Sequence, residues 1–327
     1  MRRKQIGLYI HIPFCKQKCS YCDFCSYANK ESFIKRYIQC VLKEIIEVGN
    51  NNKIDFENGK DDLFLVKTIY IGGGTPSLID SKYIVQIIED IKLNFEIDEK
   101  AEITIEVNPG TVTLEKLEDY NKVGINRLSI GLQSTHEHLL KEIGRIHTYL
   151  DFLDTFRFAR EAGFENINVD LMIGLPNQTL EEVKDSIEEI VSMEPEHISV
   201  YSLILEENTP LFKKVEEGLE LPNEDLERKM YWAVKQTLEQ NNYIHYEISN
   251  FAKKGYESKH NLDCWNQKEY IGFGIAAHSY TNGIRYSNIE NIEQYIKNYD
   301  EDKTEENLVF HEKQDMEAMQ KEYMLLG

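Results

Sequence analysis

Short runs rich in Ile, Val, Leu and Tyr recur from residue 7 to about residue 205, each followed by a longer stretch whose apolar positions fall three or four apart. The runs predict strands at Gly7–Phe14, Lys67–Ile71, Glu102–Val107, Arg127–Leu132, Asn166–Ile173 and His197–Leu203. The longer stretches predict helices at Ser32–Val48, Lys82–Asn94, Leu114–Lys122, Tyr149–Ala162 and Leu180–Met193, with another at Asp225–Gln240. Strand and helix alternate, so the fold class is α/β with a parallel sheet and helices outside it. An open sheet and a curled partial barrel fit the pattern equally. In both, ligands bind at the C-terminal ends of the strands.

Two stretches break the rhythm. Gly49–Asp62 is polar and Asn-rich and predicts a solvent loop. Glu206–Pro222 is acidic, holds two prolines and predicts a connection. The division expected is therefore a core over 1–205, its barrel-completing helix running to about 241, and a C-terminal region over 206–327. That region ends in an amphipathic pattern, Lys313–Leu326, with no cap after it, which suggests a truncated chain.

No run approaches the roughly 20 apolar residues of a membrane helix. The N-terminal GLYIHIPF run is short and lacks a small-residue cleavage site, so it is not a signal peptide, and a cytoplasmic protein is expected, not an integral membrane one. The formal net charge of −20, without a Lys/Arg block, disfavours nucleic acid as a partner.

Four of the six cysteines, Cys15, Cys19, Cys22 and Cys25, lie within eleven residues, a spacing that suggests metal binding rather than disulfides. Three thiolates on one tight loop, CxxxCxxC, can hold three corners of a [4Fe–4S] cube and leave the fourth iron for an exogenous ligand. S-adenosylmethionine (SAM) can chelate that iron, and an electron from the cluster would cleave its sulfonium to a 5′-deoxyadenosyl radical. The competing reading is structural zinc with Cys25 as fourth ligand. Gly72–Pro76, GGGTP, ends the second strand, where glycines let backbone approach a ligand. Polar residues mark later strand ends: Glu106, suited to ribose hydroxyls; Gln133; Arg145, suited to a carboxylate; and Asp170. His11 is expected to support the loop or to sit in the core.

Taken in order, YIHIPFCKQKCSYCDF, GGGTPS, EVNPG, RLSIGLQS, GRIH, NVDLMIGLP and HISVYSLILEENTP resemble the radical SAM family of oxygen-independent coproporphyrinogen III oxidases. YEISNFAKKGYESKHN and CDFCSY are closer to the related heme chaperones of the HemW type. The resemblance covers nearly the whole chain. It implies a partial (β/α)6 barrel, Cys15, Cys19 and Cys22 as cluster ligands, and SAM contacts from Tyr9, Tyr21, Gly73, Gly74, Thr75, Glu106, Gln133, Arg145 and Asp170.

The oxidase branch places its fourth cysteine two residues after the third, where this chain has Phe24, and usually carries a longer N-terminal segment. Both departures favour the chaperone branch. That branch implies heme as ligand, an acceptor hemoprotein and an electron donor as partners, and an HNxxYW motif linked to heme. Here the motif reads His260-Asn261-Leu262-Asp263-Cys264-Trp265, with Cys264 in place of Tyr; His260 is the expected heme contact, the Cys264 thiolate is another axial ligand the motif offers, and the alternative is a His260 that hydrogen-bonds its own loop. The alternative is porphyrin decarboxylation by the oxidase chemistry. The family normally extends for tens of residues past EYMLLG.

Overall fold

The structure is a computed structural model that describes residues 2–54 and 62–313. Six parallel strands form its centre: β1 (Arg2–Ile12), β2 (Asp62–Gly73), β3 (Glu96–Val107), β4 (Arg127–Gln133), β5 (Ile167–Ile173) and β6 (His197–Ser202). They lie in sequence order and in parallel register throughout. The connecting helices are α1 (Ile34–Ile54), α2 (Ser81–Asn94), α3 (Leu114–Lys122), α4 (Glu137–Glu142), α5 (Tyr149–Glu161) and α6 (Leu180–Ser192). Their starts follow from capping chemistry. Asp80 and Thr113 cap α2 and α3, and the Thr148/Asp151 and Thr179/Glu182 pairs form capping boxes on α5 and α6.

The sheet curls, which brings Tyr70 on β2 within electrostatic reach of Tyr201 on β6. The strand period of two then sorts the side chains. On β3, Ile103, Ile105 and Val107 are buried under the helices, whereas Glu102, Thr104 and Glu106 face the lumen. On β5, Val169 and Leu171 point out, and Asn168 and Asp170 point in. The lumen is thus polar from end to end, unlike the branched aliphatic filling of a closed eight-stranded barrel.

Later elements join the same sheet at both edges. After α7 (Pro210–Glu216) and α8 (Glu224–Gln240), β7 (Ile244–His245) and β8 (Asn250–Ala252) extend it antiparallel beyond β6. After α9 (Lys259–Trp265), β9 (Tyr270–Phe273) lies parallel to β1, and β10 (His278–Thr281), β11 (Ile284–Asn288) and β12 (Leu308–Lys313) continue antiparallel from it. Between β11 and β12, α10 (Ile292–Asp300) packs on α1. Buried Glu44 of α1 ties these parts together, accepting from Gly274 N at 2.8 Å, Asn288 Nδ2 at 2.6 Å and Tyr295 Oη at 2.7 Å.

Two expected loops need correction. The first six residues of Gly49–Asp62 continue α1, whose Gly49 lies buried against Asn94 of α2, so helix packing overrides the low propensity of the Asn run. Glu206–Pro222 contains α7, started by Thr209 accepting from Phe212 N with Pro210 in its first turn. Of the helix expected at Lys313–Leu326 only Lys313 is described, and it ends β12; the rest lies outside the described residues.

Candidate functional site

The cysteine loop leaves the C-terminal end of β1 and is held from three sides. Tyr27 N donates to Pro13 O at 2.7 Å and closes the loop on itself. Ser20 N donates to Ile143 O at 2.9 Å and ties it to the end of α4; Leu211 N of α7 donates to Ser20 O at 2.8 Å. Cys15 is buried, while Cys19 and Cys22 are half-buried. Burial raises the thiol pKa of Cys15 and Cys22, and each is raised further by its cysteine neighbours on the loop.

Cys25 faces elsewhere. Its Sγ donates to Glu290 O at 3.6 Å, and the charges that act on it are those of Glu290 and Lys18, with no other cysteine among them. A tetrahedral zinc would need its donors gathered about one point at roughly 2.3 Å. Among the described residues, no three His, Cys, Asp or Glu side chains converge on such a point. Three thiols on one loop, near one another but not about a single ion, fit three corners of a cubane.

The glycine run at the end of β2 passes beside this loop. Gly74 N donates to Ile12 O and Thr75 N to Phe14 O, both at 2.9 Å. A Cβ on Gly74 would lie 3.0 Å from Cys15 Sγ. Gly73 has φ +114°, and a Cβ there would lie 2.6 Å from the His11 ring. The Thr75 hydroxyl donates to Cys15 Sγ at 3.6 Å.

Next to the glycines the lumen opens into a polar pocket. Tyr70 Oη donates to Glu106 Oε1 at 2.9 Å, and Gly73 N to Glu106 Oε2 at 3.2 Å. Burial, helped by the charge of Asp170, pushes the Glu106 pKa up to about 7. Burial also raises Asp170, against hydrogen bonds from Asn168 and Ser129. Tyr9 stacks on Tyr70 with ring centres 6.3 Å apart, its hydroxyl 3.0 Å from His11 Nδ1.

Arg145 donates through Nη1 to Asn108 Oδ1 at 3.0 Å, while its buried Nε has no hydrogen-bond partner. A Cβ on Gly131 would meet Asn108 Oδ1, Gln133 Nε2 and Arg145 Nη2 within 3.0–3.3 Å, so these three side chains converge. Gln133 reaches that point from a left-handed backbone, φ +75°, at a bulge against β5. The buried Tyr21 phenol, its pKa raised by burial, lies beside Arg145.

Nine of the ten residues expected to contact a ligand thus gather at the C-terminal ends of the strands, beside the cluster loop. His260 stands apart. It lies on α9 at the opposite end of the barrel, buried, with Nδ1 2.9 Å from Thr68 Oγ1 and its ring stacked on Tyr70 at 5.3 Å. Glu102, at the start of the lumen face of β3, holds the first turn of α9 by accepting from Lys259 N and His260 N. Cys264, about one helical turn later in the motif, has its pKa pushed up to about 11 by burial, with Asp263 adding. Sequence reasoning missed Tyr70, Asn108 and Asn168. Each was detectable: Tyr70 and Asn168 alternate with apolar residues on their strands, and Asn108 sits inside EVNPG.

Known proteins resemble the chain along this same architecture. The sequence model of the Radical SAM superfamily matches residues 9–190, which span the cysteine loop and the strand ends described above. The chain is 41% identical over 290 residues to the heme chaperone HemW of Bacillus subtilis, covering 88% of this chain and 74% of that protein. It is 38% identical to HemW of Lactococcus lactis, covering 91% and 75%, and 39% identical to HemW of Escherichia coli, covering 84% and 69%. The solved coproporphyrinogen III oxidase HemN from Escherichia coli superposes with TM-score 0.83 over 99% of this chain and 75% of that one, at 22% identity, a likeness of fold. The chain belongs to the radical SAM superfamily and, within it, to the HemW family. Superfamily membership carries with it a [4Fe–4S] cluster and SAM, and the donor set, the close glycine backbone and the orphaned Arg145 Nε fit both.

Proposed function

We propose that the protein is a heme chaperone, which binds a [4Fe–4S] cluster and SAM and passes heme to acceptor hemoproteins. The observation that carries this reading is the kinship, near 40% identity over most of the chain, with proteins curated as heme chaperones. Residues 1–205 form the cluster and SAM core, and 206–327 the region that presents the heme motif. No described helix is long and apolar enough to cross a membrane, and we place the protein in the cytoplasm, where a reductant supplies the cluster.

Cys15, Cys19 and Cys22 would hold the cluster. When bound, the cluster supplies an electron and SAM a sulfonium that the electron can cleave. The chain's own residues do the positioning. Gly73, Gly74 and Thr75 offer backbone and hydroxyl groups at the loop. Arg145, with Gln133 beside it, takes the SAM carboxylate through a guanidinium that Asn108 holds on one side and the Tyr21 phenol flanks. Glu106 and Asp170 accept from ribose hydroxyls, and Tyr9 and Tyr21 close the pocket with aromatic surface. Burial, with the charge of Asp170 nearby, keeps Glu106 partly protonated near neutral pH, so it can donate as well as accept. His260 takes heme through the ring nitrogen that Thr68 leaves free, which for so buried a residue requires α9 to move from the strand ends.

The test is a hemin titration of the anaerobically reconstituted full chain, followed by mixing with apomyoglobin. A shifted Soret band that then moves to the myoglobin position supports the proposal. A chain that leaves the hemin spectrum unchanged overturns it.

A further inference from the structure

The floor of the lumen holds a charge that no described residue neutralises at close range. Arg127 opens β4 and is 2% exposed, one of the largest fully buried side chains. Its Nε has no hydrogen-bond partner, and among the described residues no carboxylate lies within ion-pair distance of it. Beside it in the β3–β4 register stands Thr104, fully buried, whose hydroxyl is also without a partner. Both face the lumen, Thr104 on the same face of β3 as Glu102 and Glu106.

The lumen carboxylates are committed to other donors. Glu102 accepts from the backbone of α9, Glu106 from Tyr70 and Gly73, and Asp170 from Ser129 and Asn168. Asp170 acts on Arg127 from beyond contact. The remaining neighbours are neutral. His197 spends both ring nitrogens on Asn168 and Tyr246, and His260 spends Nδ1 on Thr68. A buried guanidinium with free donors, next to an unused hydroxyl, is costly to maintain unless something fills the place. Its planar fork matches one chemical group in particular, a carboxylate.

We propose that Arg127 and Thr104 form a carboxylate site in the floor of the lumen, beside His260 and away from the cysteine loop. The carboxylate is either a propionate of a bound porphyrin or a free small carboxylate. The first source rests on the heme reading above; the second does not.

The experiment uses the full chain, reconstituted anaerobically, as parent, Arg127→Gln and Arg127→Lys. Hemin and hemin dimethyl ester, whose propionates are blocked, are titrated by Soret absorbance, and melting is followed with and without sodium propionate. If a propionate is the ligand, the parent binds the ester about tenfold or more weakly than hemin, from the loss of a charge-assisted pair. Arg127→Gln removes that difference, and Arg127→Lys restores part of it. If a free carboxylate is the ligand, propionate raises the melting temperature of the parent but not of Arg127→Gln, whether or not hemin binds. The two arms on the parent decide the matter even if a variant fails to fold. Equal binding of hemin and ester by the parent, with no effect of propionate on its melting, overturns the proposal. A chain that binds no hemin but is stabilised by propionate through Arg127 removes the heme reading and leaves this site standing.

Discussion

Replacing Glu106 by Gln in the cluster-free, SAM-free protein measures what the polar lumen does to a carboxylate. Burial moves the Glu106 pKa from 4.5 to about 7. An acid whose folded pKa is the higher one binds its proton more tightly when folded. Its contribution to stability is therefore complete below its unfolded pKa, is lost as pH rises through about 7, and is constant above that. The whole gap amounts to about 3 kcal/mol. Glu106 keeps partial solvent contact through the lumen mouth, and screening there reduces the loss to roughly 1.5 kcal/mol. Gln carries no charge at any pH. Its carbonyl can still accept from Tyr70, but its amide nitrogen cannot accept from Gly73 N, which costs about 1 kcal/mol. The variant is thus expected to be less stable than the parent by about 1 kcal/mol near pH 5, and equal to it or slightly more stable near pH 8.5. Urea denaturation across that range reads both curves. Parallel curves for parent and variant would refute the idea that the lumen raises this pKa.

Other outcomes follow from the same geometry. Substituting Cys15, Cys19 or Cys22 by Ala is expected to abolish iron and sulfide retention, whereas Cys25→Ser keeps both, since that thiol faces Glu290; elemental analysis after reconstitution checks this. Gly73→Ala forces a Cβ to within 2.6 Å of the His11 ring at φ +114°, and should cost about 2–4 kcal/mol in urea denaturation. Glu44→Ala strands Gly274 N and the Tyr295 hydroxyl in the interior; a loss of about 3 kcal/mol is expected, with hydrogen exchange rising first in β9–β11.

Much of the fold was readable because its two periods are clean. In AEITIEV and INVDLMI the apolar residues alternate with polar ones, so strand, outward face and inward face all follow from the residues. The cysteine loop and GGGTP were readable because each motif carries its own geometry. What escaped depends on contacts distant in the chain. The extension of α1 is set by packing on α2, and α4 and α7, at six and seven residues, are too short for a period to show. The edge strand β9 is fixed by pairing with β1 across more than 200 residues of chain, beyond any local signal. Arg127 looked like the ordinary start of a strand; only the curl of the sheet reveals that its charge has no close counterpart. His260 was found from its motif, but its place at the opposite end of the barrel from the cysteines came from the packing of α9 on Glu102 and Thr68.

The central claim is that three loop thiols hold an iron–sulfur cube whose remaining corner is open to SAM. Electron paramagnetic resonance of the dithionite-reduced, reconstituted chain, recorded with and without SAM, tests it most directly. The account predicts a cluster signal whose g-values change when SAM is added. A cluster signal that SAM leaves unchanged would contradict it.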